Sequence, residues 1–251
     1  MHFTVITPTY NRVQFLPEAV ASVRATITAP LDIQYEHLIL ENGSTDDTAN
    51  WLQTTAEKGG PVRVISQPTK LAPGPARNLL IRETPADAWL VPLDDDDVLL
   101  QRCLYHYADL VQRHPGQPWF VADFLRVDEE RRYLPSEDYY AWRFESTTDM
   151  LKAIFRAEHF IQGNVCYSRG LFEKVGGYDE TIEMAEDLDL YVRFLLAGHL
   201  PILSPHISHL HRFHTSNVSI GVDADKHGAD LRVIYDKYAE QLKALGVERP
   251  G

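Results

Sequence analysis

Five short apolar runs, FTVIT, HLILE, VRVIS, AWLVPL and WFVADF, recur along the first half of the chain, separated mostly by segments with helical spacing. They are rich in Val, Ile and Leu, the composition of strands covered on both faces. Strand and helix in alternation require crossover connections, and crossovers build a largely parallel sheet flanked by helices. The expected class is therefore α/β and Rossmann-like. Phe15, Val20 and Val23 share one face of a first helix; STDDTANWL opens a second, with Ser44 or Thr45 as N-cap and acids in its first turn; Leu79 and Leu80 lie on a third, introduced by PTKLAPGPARN.

Beyond about residue 125 the pattern loosens. DEERRYLPSEDYYAWRFEST is polar and aromatic without a clear period and reads as a loop or lid. A strand-like GNVCYS follows, then RGLFEKVGGYDETI, a helix from about Ala185 to Leu196 stopped at Gly198, and LPILSP as a further strand. From Asp223 to about Leu245, the spacing of Leu231, Ile234, Tyr235, Tyr238 and Leu242 predicts a helix folded back on the body.

Charge and cysteine content narrow the partners. Thirty-six acidic residues against 24 basic ones give a net charge of -12, which argues against nucleic-acid binding, since phosphate neutralisation needs clustered Lys and Arg. Cys103 and Cys166 stand alone and far apart, in no disulfide or zinc-thiolate spacing. MHFTVITPTYNR has no basic region leading into a long apolar core, and no window approaches 18 apolar residues. The expectation is a cytoplasmic protein without a transmembrane segment, with peripheral membrane association left open.

In an open parallel sheet, ligands gather at the carboxyl ends of the strands. Three polar clusters fall there: Thr7 to Asn11, Glu41 to Ser44, and Asp94 to Asp97. The last is the sharpest. Two like charges about 4 Å apart repel by roughly 4 kcal/mol at an effective dielectric of about 20, so four adjacent carboxylates at the end of an apolar strand call for a cation.

In their order and spacing, VITPTYNR, LILENGSTDDT, GPARNLLI, LVPLDDDDVLL, VGGYDETI, EDLDLYVRF and HRFHTSNVS resemble family-2, inverting nucleotide-sugar glycosyltransferases of the GT-A fold. The resemblance implies a glycosyltransferase domain over 1–222, with a nucleotide-binding half (1–125) and an acceptor and catalytic half (126–222), followed by a C-terminal helical extension (223–251). It implies that Thr7, Pro8, Thr9 and Tyr10 flank the nucleotide. Glu41, standing where the family usually has Asp, would bond the uracil and ribose side. Arg77 and Asn78 would lie beside the nucleotide, with Gly74 and neighbouring amides toward the diphosphate. The Asp-x-Asp-Asp pattern makes Asp94 a ribose or metal-water contact, Asp95 the variable position of the nucleotide-binding run and Asp97 a support. Asp96 would hold Mn2+ or Mg2+, hard ions that choose oxygen ligands. His214, ahead of Ser216 and Ser219, completes the metal shell or touches the diphosphate, with Arg212 nearby. Asp187, of the Glu186-Asp187 pair, is the implied general base, sharing a helix face with Tyr191, whereas Glu186 and Asp189 lie along another. Glu186, Gln162, Gly163 and Asn164 are assigned to the sugar and acceptor side, with Tyr139, Tyr140 and Trp142 as a stacking surface or as core. The donor is expected to be a UDP-sugar and the acceptor a saccharide or other hydroxyl, in glycan or glycoconjugate synthesis.

Competing readings attach to the same residues. Asp94-x-Asp96-x-Val98 also fits haloacid-dehalogenase-type phosphohydrolases, although that signature belongs after a first strand and three strand-like runs precede it here. A sugar-1-phosphate nucleotidyltransferase wants a Gly-rich first loop, and TPTYNR has no glycine. A non-catalytic nucleotide-sugar-binding subunit is a third reading. His206, His209, His211 and His214 match no common zinc signature, and the first three are expected to be structural or surface groups.

Overall fold

The computed structural model describes residues 1–135, 144–158, 161, 163–182, 184–215, 217 and, with backbone alone for 224–227, 224–251. Strands and helices alternate as expected at the start: β1 (His2–Thr9), α1 (Leu16–Arg24), β2 (Gln34–Glu41), α2 (Thr48–Glu57), β3 (Val62–Ser66), α3 (Pro73–Arg82) and β4 (Trp89–Pro92). β2 pairs in parallel with β1 and β3, and β1 in parallel with β4. The chain continues through β5 (Val98–Leu99), α4 (Cys103–Arg113), β6 (Trp119–Val127), α5 (Thr147–Phe155), β7 (Val165–Ser168), α6 (Arg169–Lys174), α7 (Glu186–Leu196), β8 (Ile202–Arg212), α8 (Ala224–Lys237) and α9 (Ala239–Ala244). All described strands join one sheet in the order β3-β2-β1-β4-β7-β6-β8-β5. β7 runs antiparallel to both β4 and β6, while β6 and β8 are parallel.

Alternation along the strands separates two cores. Ile6, Trp119 and Val121 face one side of the sheet with residues of α3, α5 and α7; Val5, Phe120 and Ala122 face the other, against α4. Leu231, Ile234, Tyr235, Leu242 and Val247 belong to the first of these clusters, so the C-terminal helices are built into the principal core. Each such side chain removed from water stabilises the fold by about 1.5–3 kcal/mol. A smaller cluster of Leu16, Val20, Ile39, Leu52 and Val62 sits beneath α1 and α2. Among the described residues no helix is long and apolar enough to cross a membrane.

Two local starts differ from expectation. α2 begins at Thr48, after an N-cap at Asp47, and has no acid in its first turn. The reason is Asn11: its amide hydrogen bonds to Ser44 Oγ (3.1 Å), and its Oδ1 accepts from Thr45 N (2.8 Å), so Ser44 and Thr45 form a turn ahead of the helix. Phe15 stands at the N-cap of α1, outside the helix, with Val20 and Val23 buried as expected. LPILSP extends much further than its apolar part, because β8 runs through the histidine-rich segment to Arg212.

Candidate active site

The parallel register aligns Thr9 with Glu41 and Ile6 with Pro92, which brings the ends of β1, β2 and β4 together. Two adjoining cavities open there. One, of about 640 Å³, is lined by Pro8, Thr9, Tyr10, Asn42 and Asp94 to Asp96. The other, of about 540 Å³, reaches Gly163, Leu188, Tyr191 and Arg126. Arg77, Asp94, Met184, Asp187 and His211 line both. Backbone strain concentrates at the same place: Asn11 (φ 55°) and Ala185 (φ 58°), the N-cap of α7, both adopt the left-handed region.

The four aspartates are four different groups. Asp94 is half exposed (52%) and accepts from Arg77 Nη2 at 2.9 Å. Asp95 is buried and lies 3.6 Å from Arg12 Nε. Burial and the neighbouring Asp96 push its carboxyl up to about 8. Asp96 Oδ2 stands 3.0 Å from His214 Nε2, both groups buried. Asp97, 3% exposed, accepts from the Arg212 amide (2.9 Å) and faces His209 and His211. The expected repulsion is therefore present, and three of the four carboxylates are withdrawn from the water that would dilute it.

Across the crevice, α7 presents Glu186 and Asp187. Arg77 joins Asp94 to Glu186 by one guanidinium, pairing with both and lying 5.9 Å from the Tyr178 ring centre. Burial raises the Glu186 carboxyl to about 7, against the opposing charge of Arg77. Asp187 is half-buried, and its Oδ1 accepts from the Leu188 amide at 2.7 Å. Its carboxyl is also raised, first by burial, with Arg77 acting in the other direction. Asp187 and Tyr191 share a cavity as expected, while Asp189 is turned fully into the protein.

Several expected ligands point elsewhere. Thr7 is fully buried, donating to the Leu93 carbonyl (2.8 Å) and meeting His37 Nε2 (2.9 Å), so it supports the crevice from behind. Glu41 Oε1 accepts from the Ser44 amide at 2.6 Å and fastens its own turn; Asn42, next to it, is the residue that lines the cavity. Asn78 is spent on Tyr178, donating to its carbonyl (2.9 Å) and accepting from its amide (2.9 Å). Gly74 faces the segment ahead of α7 instead of the open crevice, since a Cβ there would meet the Asp179 carbonyl at 3.2 Å and the Tyr178 and Glu186 side chains at 3.6 Å. Asn164 is fully buried and donates to the Ala122 carbonyl. Arg212 is 3% exposed, its guanidinium bonded to Asp96 O, Glu129 O and Glu18, a staple between elements. Gln162, Tyr139, Tyr140, Trp142, Ser216 and Ser219 lie outside the described residues.

The sequence profile described as Glycosyl transferase family 2 matches residues 4–176. The chain belongs to glycosyl transferase family 2. Solved structures of the GT-A type share its fold. S. aureus TarS 1-349 in complex with UDP-GlcNAc superposes with a TM-score of 0.74 at 16% identity, over 94% of this chain and 66% of that one. The mannosyltransferase PcManGT from Pyrobaculum calidifontis, in complex with GDP-Man and Mn2+, gives 0.62 at 17% identity, over 99% and 65%. TarS 1-349 alone gives 0.71 at 16%, over 94% and 65%, so this chain spans about two thirds of such chains. Among curated proteins, none matches the sequence.

Arg12, Lys70 and Arg126 stand in this crevice without having been expected there, and His211, expected as a structural or surface group, lines both cavities. Lys70 Nζ lies 3.9 Å from the Tyr10 ring centre at the rim of the larger cavity. Arg126 lies against the Phe213 ring at 4.9 Å in the smaller one. The TYNR run held a signal for Arg12, a cation following the first strand; His211 carried none, because only the length of β8 brings it to the crevice.

Proposed function

We propose that this chain is a metal-dependent, inverting glycosyltransferase that moves a sugar from a nucleotide diphosphate donor, a UDP-sugar, to an acceptor hydroxyl. The observation that carries the reading is that Arg77 ties Asp94, at the end of β4, to Glu186, beside Asp187, where two cavities meet. One cavity suits the nucleotide and the other the acceptor. The acceptor oxygen attacks the anomeric carbon, the bond from that carbon to the diphosphate oxygen breaks, and the nucleoside diphosphate departs on the far face. The proton of the acceptor hydroxyl passes to a carboxylate oxygen of Asp187. Burial raises the basicity of that carboxylate above the usual aspartate range, which favours proton capture.

Pro8, Thr9, Tyr10 and Asn42 line the proposed nucleotide cavity, with Arg12, Lys70 and Arg77 as its cations. Gly163 and Tyr191 border the proposed acceptor side. Asp96 and His214 fit a divalent ion, because a carboxylate oxygen and an imidazole nitrogen 3.0 Å apart at a buried strand end form an O/N donor pair. Mn2+ or Mg2+ held there would supply charge neutralisation to the leaving diphosphate. A UDP donor is favoured by the similarity to TarS, whose complexes hold UDP-GlcNAc and UDP.

A thermal-shift series with UDP-, GDP- and dTDP-sugars and Mn2+ tests the donor. Ligand at about 100 times its dissociation constant adds roughly 2.7 kcal/mol, about 5–10 °C for a chain of this size. No response to any nucleotide sugar would overturn the reading. Asp187→Asn should lower turnover by about 10² to 10⁴-fold with nucleotide affinity unchanged. Nucleotide binding without turnover in the parent chain, across an acceptor panel, would support the binding-subunit reading instead.

A further inference from the structure

Asp97, His209 and His211 are left over by this mechanism. β8 places His209 and His211 two residues apart, on one side of the strand, and pairs Leu99 with His209. Both imidazoles meet a single oxygen: Asp97 Oδ2 is 3.6 Å from His209 Nε2 and 3.3 Å from His211 Nδ1. The three atoms lie within 4.8 Å of one another. Ligand atoms at about 2.0–2.1 Å from a tetrahedral ion stand roughly 3.3 Å apart, close to both separations.

The hydrogen bonds behind the rings fix what faces the carboxylate. Ser208 Oγ donates to the Asp123 carbonyl (3.0 Å), so its contact with His209 Nδ1 at 2.9 Å is one in which the imidazole N–H donates. A neutral His209 then turns the lone pair of Nε2 toward Asp97. Lone pair against carboxylate is repulsive unless a proton or a metal ion stands between them, and 3.6 Å is too long for a hydrogen bond that shares a proton. Asp97 Oδ1 is already committed to the Arg212 amide. Phe124 stacks on His209 at 5.5 Å with an 11° interplanar angle, and Phe213 meets His211 edge-on at 5.8 Å, so apolar walls hold both rings. His209 and His211 nevertheless line the smaller cavity, which provides an entry path and an open coordination position.

We propose that Asp97, His209 and His211 form a second divalent-cation site, distinct in its ligands from the Asp96 and His214 pair. Two imidazoles and one carboxylate select a borderline ion of the zinc class over Mg2+. The Nδ1 of His209 on Ser208 is the outer hydrogen bond that commonly orients such a ligand. The site opens on the cavity assigned above to the acceptor, so an ion bound there would sit beside the reacting groups.

The test uses the whole chain described above, stripped with chelator, and Co2+ alone, with no nucleotide, read by visible absorption and reversed by Zn2+. The proposal expects a four-coordinate Co2+ spectrum that Zn2+ displaces stoichiometrically. Its affinity should fall at least tenfold in His209→Asn and in His211→Asn, and persist in Asp96→Asn and His214→Ala. His211 is the more exposed of the two, so His211→Asn decides the question if His209→Asn does not fold. A signal lost with His214 but indifferent to His209 and His211 would overturn the proposal, as would no Co2+ bound beyond the Asp96 site. The readout needs neither donor nor turnover, so its failure leaves the glycosyltransfer reading standing, and the converse holds.

Discussion

Arg77 reaches Asp94, from the end of β4, and Glu186, from the start of α7, residues 92 positions apart in the chain that one guanidinium holds at a common crevice. Its charge also opposes the burial that raises the Asp187 carboxyl. Removing it should therefore raise that carboxyl further. For a base that must be ionised to work, the acid limb of the kcat/KM profile should lie above the ordinary aspartate range in the parent and move to higher pH in Arg77→Gln. A profile measured on both proteins with a saturating divalent ion checks this; a limb that stays in place would separate Arg77 from the base. Asp96→Asn should weaken Mn2+-dependent nucleotide binding while leaving the metal-free Tm near that of the parent. Individual roles were only half legible in the sequence. GPARN directs Arg77 to the crevice, but the adjacent Asn78, about 100° further round the helix, is consumed by the Tyr178 backbone. The same logic removes Thr7 from the ligand surface and leaves Thr9 on it, since only the end of a strand reaches a crevice beyond the sheet.

At the scale of elements, α7 carries the proposed base and is anchored from behind by the C-terminal helices. Asp189 is fully buried; it accepts from Arg193 Nε (2.9 Å), Arg193 Nη2 (2.7 Å) and the Tyr238 hydroxyl (2.8 Å), with Lys237 Nζ at 3.5 Å. Lys237 also pairs with Asp179. Helical spacing foretold a tail folding back on the body, through Leu231, Ile234 and Tyr235, but spacing shows only apolar faces and gave no hint of this polar clasp. Hydrogen bonds to a charged group contribute about 1.5–3 kcal/mol each. Tyr238→Phe should thus lower Tm by roughly 3–12 °C, at about 2–4 °C per kcal/mol for a chain of this length. Asp189→Ala, which leaves the half-buried Arg193 without its carboxylate, should cost more, about 3–5 kcal/mol. Thermal and denaturant melts of both variants measure this; a Tyr238→Phe protein as stable as the parent would mean the Tyr238 hydrogen bond contributes nothing net. The element order was the most legible feature, because strand composition and helical period are local. The length of β8 was not, since its second half alternates histidines with Leu and Ser and depends on non-local pairing with β6 and β5.

Over the whole molecule, ionisable groups buried far from one another make opposing demands on pH. Burial lowers His37 and His206 each to about 3, so both stay neutral in the folded chain well below their ordinary value of 6.5. The unfolded chain protonates them near 6.5, so their contribution is intact above that pH and is lost as pH falls from about 6.5 toward 3. Glu186, raised to about 7, runs the other way: its contribution is present below about 4.5 and is lost as pH rises through 7. The sum is a stability curve that declines on both sides, and a melt of the parent alone does not apportion it. His37 offers a way to isolate one side. It sits in β2 between β1 and β3, its Nε2 2.9 Å from Thr7 Oγ1 and its Nδ1 buried without a hydrogen-bond partner. Thr7 Oγ1 donates to Leu93 O, so the histidine must donate through Nε2, and a glutamine amide preserves that donation without a titratable ring. At about 1.4 kcal/mol per unit, the His37 shift is worth on the order of several kcal/mol at pH 3 relative to pH 7. His37→Gln should therefore change stability at pH 7 by its packing cost alone and then lose less than the parent as the solution is acidified. The difference between the two urea-melt curves, plotted from pH 7 to pH 3.5, should rise steadily in favour of the variant below about 6.5; parallel curves would show that His37 protonates in the fold without cost.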